Sequence, residues 1–127
     1  MPVTMDIRED GHVIYYKVED PWTVFDFTRH FPEDEAHRGS AGFPVHVLVD
    51  MSKARQIPPG VFHLRKKALA SHPGTGVTMI IGAGAYAQRI AGIVLRLAHN
   101  EKTRFVESEA QAWAYVKRAI ARETTVG

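Results

Sequence analysis

The sequence predicts a single α/β domain over residues 1–127, with a mixed, mainly parallel sheet and elements in the order ββαβαβαβα. Three observations carry this. After an initial hairpin, strand-like runs alternate with helical patterns, and such alternation implies right-handed crossovers joining parallel strands. Two of the runs, residues 44–50 and 76–81, are nearly continuous in apolar residues, as in strands buried on both faces. At 127 residues and 45% hydrophobic, the chain is large enough to enclose one real core.

The elements follow in order. Residues 4–9 and 12–18 are strand candidates, the second rich in β-branched and aromatic side chains. Asp10-Gly11 between them signals a two-residue hairpin turn, because Gly takes positive φ freely. Asp20 is expected to cap a helix with Pro21 at its first position, burying Trp22, Phe25, Phe27 and Phe31 and ending at Pro32. Glu33-Asp34-Glu35 suit the first turn of a second short helix, and residues 39–42 read as a loop. After the strand at 44–50, Pro58-Pro59 opens a helix that runs to Ser71 and stops at His72-Pro73-Gly74. The strand at 76–81 turns through Gly82-Ala83-Gly84-Ala85 into a helix ending near His99-Asn100. A short strand at 103–107 and a helix from Ser108-Glu109 to about Arg122 close the chain, the latter with Ala110, Trp113, Ala114, Val116 and Ile120 as apolar positions.

Composition excludes several classes. Without cysteine there is no disulfide framework, thiolate metal site or cysteine nucleophile. The seven histidines show neither an H-x-x-x-H pair nor H-E-x-x-H, so no metal and no cofactor is expected. His46 reads as a half-buried core histidine. Ser52 and His46 lie six residues apart, with nothing marking an oxyanion hole. The N-terminus lacks the basic-then-apolar pattern of a signal peptide, and the run at 77–87 is too short to span a membrane, so a cytoplasmic protein is expected.

Net charge of +2 conceals an asymmetry. Residues 1–50 hold ten acids and four bases; residues 51–100 hold seven bases and no acid; the remainder holds four acids and five bases. The basic middle either packs near the acidic N-terminal part or forms a surface for an anionic ligand or acidic partner. Lys53, Arg55, Arg65, Lys66 and Lys67, joined by the Gly82 turn, are expected to form a positive surface with no acid except Asp50. No nucleic-acid recognition motif accompanies them, and the aromatics do not interleave with the basic run.

Gly82-Ala83-Gly84-Ala85-Tyr86-Ala87 fits the loose form G-x-G-x-x-A. That fingerprint belongs on the first strand of a dinucleotide fold, and here only one strand follows, so a tight strand-to-helix turn is the expected role, with a small anion as an intermediate reading. Asp50-Met51-Ser52 ends a central strand, at the edge where open α/β sheets bind ligands, and Gly82 and Gly84 should share that edge. On the helix after Gly84, Ile90, Ile93, Val94 and Leu97 belong to an apolar surface wider than one stripe, to be covered by a neighbouring helix of the same chain, by an apolar ligand or by another subunit in a homodimer.

The segment Val47-Leu48-Val49-Asp50-Met51-Ser52, Ile57 before a helix start, the strand end Ile80-Ile81-Gly82 and the closing Phe105-Val106-Glu107-Ser108-Glu109-Ala110-Gln111-Ala112 together resemble the STAS domain of sulfate transporters and anti-sigma-factor antagonists, in its SpoIIAA-like branch. The resemblance spans residues 4–122. It implies a non-enzymatic regulatory or protein-interaction module with a protein partner. Because the branch is grouped with lipid carriers, it also implies the alternative of a carrier for a small anionic or amphipathic ligand at the strand ends. In that family a serine is phosphorylated at the start of the helix after the central strand. Ile57-Pro58-Pro59-Gly60 stands there in this chain and offers no hydroxyl. The expected binding residues are Asp50, Ser52, Lys53, Arg55, Lys66, Lys67, Gly82 and Gly84, with no catalytic residue.

Overall fold

A computed structural model describes residues 2–58, 60, 75–97 and 102–125. Strands β1 (Val3–Arg8), β2 (Val13–Glu19), β3 (Val45–Lys53), β4 (Thr75–Ile81) and β5 (Thr103–Val106) form one sheet in sequence order. β1 and β2 are antiparallel, and every later pairing is parallel. Helices α1 (Val24–Thr28) and α2 (Phe31–Ser40) connect β2 to β3, α3 (Ala85–Leu97) connects β4 to β5, and α4 (Glu109–Thr125) follows. The expected α/β class and mixed sheet are therefore present. The helix expected at residues 58–71 lies outside the described residues. Among the described residues no helix is long and apolar enough to cross a membrane.

Each parallel step moves the same way across the sheet, and the β2–β3 and β4–β5 connections place Phe27 and Ala83 on one face. The core divides accordingly. On that face Val3, Ile14, Tyr16, Val18, Val45, Val47, Val49 and Met51 pack with Trp22, Phe27, Phe43 and Ala83. On the other, Val13, Tyr15, Leu48, Met79 and Ile81 pack beneath Ala112 and Val116 of α4. The strict alternation along β2 and β3 is the period of two that a strand imposes.

Several local expectations are corrected. The hairpin turn is longer than two residues: the last pair is Arg8 with Val13, and Glu9–Gly11 forms a 3-10 turn with φ of 54° at Glu9 and Asp10 and 90° at Gly11. This turn docks on α2, where His37 Nε2 lies 2.7 Å from the Gly11 carbonyl, and His12 stacks on Phe43. Asp20 caps no helix. Thr23 does, in a reciprocal capping box with Asp26, and the Asp20 carboxylate instead accepts the amides of Arg55 and Gln56 at 2.6 and 3.3 Å. Pro32 does not end a helix; it lies in the first turn of α2, where a missing N–H costs nothing. α2 continues to Ser40, through half of the expected loop. Phe25 is 71% exposed rather than buried. On α4, Ala110 and Ala114 face solvent, while Ala112, Val116 and Ala119 are buried.

Two buried polar groups lock the layers. Asp34 of α2 accepts the Tyr16 hydroxyl at 2.6 Å and Arg38 Nη2 at 3.0 Å, and Arg38 Nη1 donates to Thr75 Oγ1 of β4. Burial, and then the Asp34 charge, push the Tyr16 hydroxyl far above its usual range, so it stays a donor. On the other face His46, only 3% exposed, accepts the Val77 amide on Nδ1 at 3.0 Å, which leaves Nε2 to donate to Glu123 of α4 at 2.9 Å. A Cβ on Gly76 would overlap the His46 ring, so glycine is needed there. His46 is thus fully buried, not half-buried.

Replacing Asp34 by Ala strands a largely buried guanidinium, and urea unfolding should register a loss of about 3–5 kcal/mol. Asp34→Asn, which keeps the shape and an acceptor, should lose less. A second expectation concerns pH. Burial holds the His46 pKa below the ordinary 6.5, outweighing the opposite pull of Glu123, with His12 adding to the depression. The unfolded chain therefore binds the extra proton first. The His46 contribution to stability is complete above pH 6.5 and is lost as pH falls from there through the depressed folded value. Unfolding midpoints at about pH 7.5 and about pH 5.5 should differ more for the native chain than for His46→Gln.

Candidate site at the carboxyl edge of the sheet

The parallel strands β2, β3 and β4 end side by side, with Lys17 opposite Asp50 and Asp50 opposite Ile81. This brings Asp50, Ser52, Lys53, Arg55, Gly82 and Gly84 to one edge, joined by three groups on the α4 face. Asp50 Oδ1 accepts the Ser52 amide at 2.9 Å and the Ser52 hydroxyl at 2.6 Å. Asp50 Oδ2 accepts the Tyr15 hydroxyl at 3.3 Å. Burial is the largest effect raising the Tyr15 pKa, followed by the Asp50 charge and a hydrogen bond to Glu109. Trp113 lies parallel to the Tyr15 ring and donates to Glu109 at 3.2 Å. The sequence alone does not single out Tyr15, Glu109 or Trp113 as site residues. Only the strand period, which puts Tyr15 and Asp50 on one face, signals Tyr15.

Asp50 is consumed within the fold, as the aspartate of a turn. Gly82 is equally committed. Its φ is +68°, a Cβ would lie 2.9 Å from Ser52 Cβ, and its N–H donates to the Val106 carbonyl at 2.9 Å. The first amide of the Gly82-x-Gly84 turn is therefore spent on the sheet and unavailable to a phosphate. Gly84 has open space beside it, and its carbonyl accepts the Gln88 amide at 2.8 Å.

The edge is mixed in charge, which corrects the expectation of a positive surface with Asp50 as its sole acid. Glu19 lies 3.9 Å from both Lys17 and Lys53, and Asp20 holds the backbone of Arg55. The cause is topological. β2 delivers Glu19 and Asp20 beside the end of β3, so the acidic first part of the chain meets the basic middle. Arg65, Lys66 and Lys67 lie outside the described residues. His46 stands at the opposite end of β3, about 20 Å from Ser52 at strand rise, so the two form no catalytic pair. Among the described residues no group of three or more His, Asp or Glu side chains is placed to hold a metal ion.

Two large apolar side chains stand out of this edge. Phe25 and Tyr86, 71% and 67% exposed, are each the second residue of a helix that leaves a strand's carboxyl end. On α3, Ile93 is 46% exposed and Ile90 half-buried; the side chains of Val94 and Leu97 lie outside the described set.

No family model, curated protein or solved structure matches this chain.

Any side chain at position 82 meets both a positive φ and the Ser52 backbone. Gly82→Ala should therefore lose about 1–3 kcal/mol in chemical denaturation, whereas Gly84→Ala, facing open space, should lose far less.

Proposed function

We propose that this chain is a non-enzymatic, cytoplasmic protein-interaction module that receives its partner on the carboxyl edge of the sheet. The observation that carries the reading is the exposure of Phe25 and Tyr86 on either side of the β3 end. Exposed aromatics rimmed by polar groups are the usual anchors of protein interfaces. Between them the polar groups are already organised: Asp50 holds Ser52, and Asp20 holds the loop that carries Arg55. Such a surface is rigid before binding, which lowers the entropy lost on association. Lys17, Glu19 and Lys53 form surface pairs of little energetic weight and suit a rim that tunes association rate. The resemblance to SpoIIAA-like STAS domains supports the same class of function. A phosphoryl switch at the family's helix start is not part of the proposal, because no hydroxyl stands there.

The test uses a photo-crosslinking amino acid in place of Tyr86, in the cells that make the protein. A single protein species should be captured. Phe25→Asp and Tyr86→Asp should each keep stability within about 0.5 kcal/mol of the native chain and weaken the recovered complex at least about thirtyfold. Native mass spectrometry of the purified chain supplies the opposing outcome: a stoichiometric small molecule, with Phe25→Asp and Tyr86→Asp leaving it bound, would make the protein a carrier and overturn the module.

A further inference from the structure

A second surface lies between the outer edge of β5 and helix α4. There an open groove of about 570 Å³ is floored by Met79 and Val106 and walled by Phe105, Ala114, Tyr115 and Arg118. Its backbone chemistry follows from register. The carbonyls of Lys102 and Val106 accept from Thr78 and Gly82 of β4, so the even-numbered residues of β5 face inward. Phe105, one step out of phase, turns its N–H and C=O away from the sheet, and β5 is the last strand. A strand edge of this kind is a template for another extended chain.

The side chains say what kind of chain. Arg104 lies over the Tyr115 ring at 5.6 Å, and Arg118, one helical turn beyond Tyr115, donates Nε to the Ala114 carbonyl at 3.3 Å. Neither guanidinium is paired with a carboxylate among the described residues. Glu107 and Gln111 close the other end, where Gln111 Oε1 accepts the Glu107 amide at 3.0 Å. The groove thus has an apolar floor, an outward backbone pair and two unneutralised cations at one end.

We infer that this groove binds an extended acidic segment of a partner protein, which adds to β5 as a sixth strand. With the added strand antiparallel to β5, the residue opposite Phe105 exchanges two backbone hydrogen bonds with it. Its two neighbours point to the α4 side, so an apolar side chain reaches Met79 and Val106 while a carboxylate two residues away reaches Arg104 and Arg118. Strand addition of this kind draws affinity from the backbone and specificity from alternate side chains. The inference does not rest on the carboxyl-edge reading, since the two surfaces share no residue.

The probe is the peptide Ac-Glu-Thr-Val-Thr-Glu-NH2, which offers the apolar and acidic spacing to an antiparallel pairing at either threonine. Titrated into the ¹⁵N-labelled full chain, it should give saturable amide shifts at Phe105, Ala114 and Arg118 at concentrations up to about 1 mM. Arg118→Glu or Arg104→Glu, both at exposed positions, should weaken it by about tenfold or more with the spectrum's dispersion retained. The lysine counterpart Ac-Lys-Thr-Val-Thr-Lys-NH2, and the glutamate peptide N-methylated at both threonines, should fail to bind. Absence of saturable shifts, equal binding of the lysine peptide, or equal binding of the N-methylated peptide would each overturn the proposal.

Discussion

The structure depends on β3 being covered on both faces. Val45, Val47, Val49 and Met51 turn to one helical layer, and His46 and Leu48 turn to the other. No polar side chain can enter such a strand without a dedicated partner, because an unpaired buried polar group costs more than a hydrogen bond returns. His46 meets the condition through Val77 and Glu123. Farther along, where the helices no longer close over the strand, the same alternation brings Asp50 and Ser52 outward, and they satisfy each other. The candidate site is therefore the place where double burial ends.

This constraint explains what was legible in the sequence. The apolar run through residues 45–49 announces a central strand without any knowledge of its neighbours, and Gly82 and Asp50 fall at one edge once the strands are known to be parallel. Asp20-Pro21 carries a local capping signal that competes with a distant use. The Asp20 carboxylate is taken by amides more than thirty residues away, while Thr23 and Asp26 supply the cap. Phe25 departs from its expected burial for a related reason. α1 has only five residues, too few to bury aromatics all round, so Phe27 enters the core and Phe25 faces out. Tyr15, Glu109 and Trp113 meet across a separation of more than ninety residues, which no local pattern records.

Charge segregation along the chain is undone by folding at this edge. The first fifty residues are acidic and the next fifty have no acid. Placing β2 beside β3 sets Glu19 and Asp20 against Lys53 and the Arg55 backbone. The acidic groups do two different jobs. Glu19 sits in weak, water-screened pairs with Lys17 and Lys53. Asp20 accepts two backbone amides, at 2.6 and 3.3 Å, and fixes the loop. A linear count of charge could not distinguish them.

Helix α4 is tied down at both ends, and both ties reach inward. Glu109 and Trp113 engage Tyr15 of β2, and Glu123 engages His46 of β3. These anchors are on the central strands, so they draw the helix over the middle of the sheet. β5, only four residues long and last in order, contributes Val106 to the core beneath the helix and keeps its outer edge open. The groove along its outer edge is thus a consequence of where α4 is fastened. Moving α4 outward over it would take Glu123 away from the buried His46, whose Nε2–H it accepts. The interior latch and the open edge are two results of one placement.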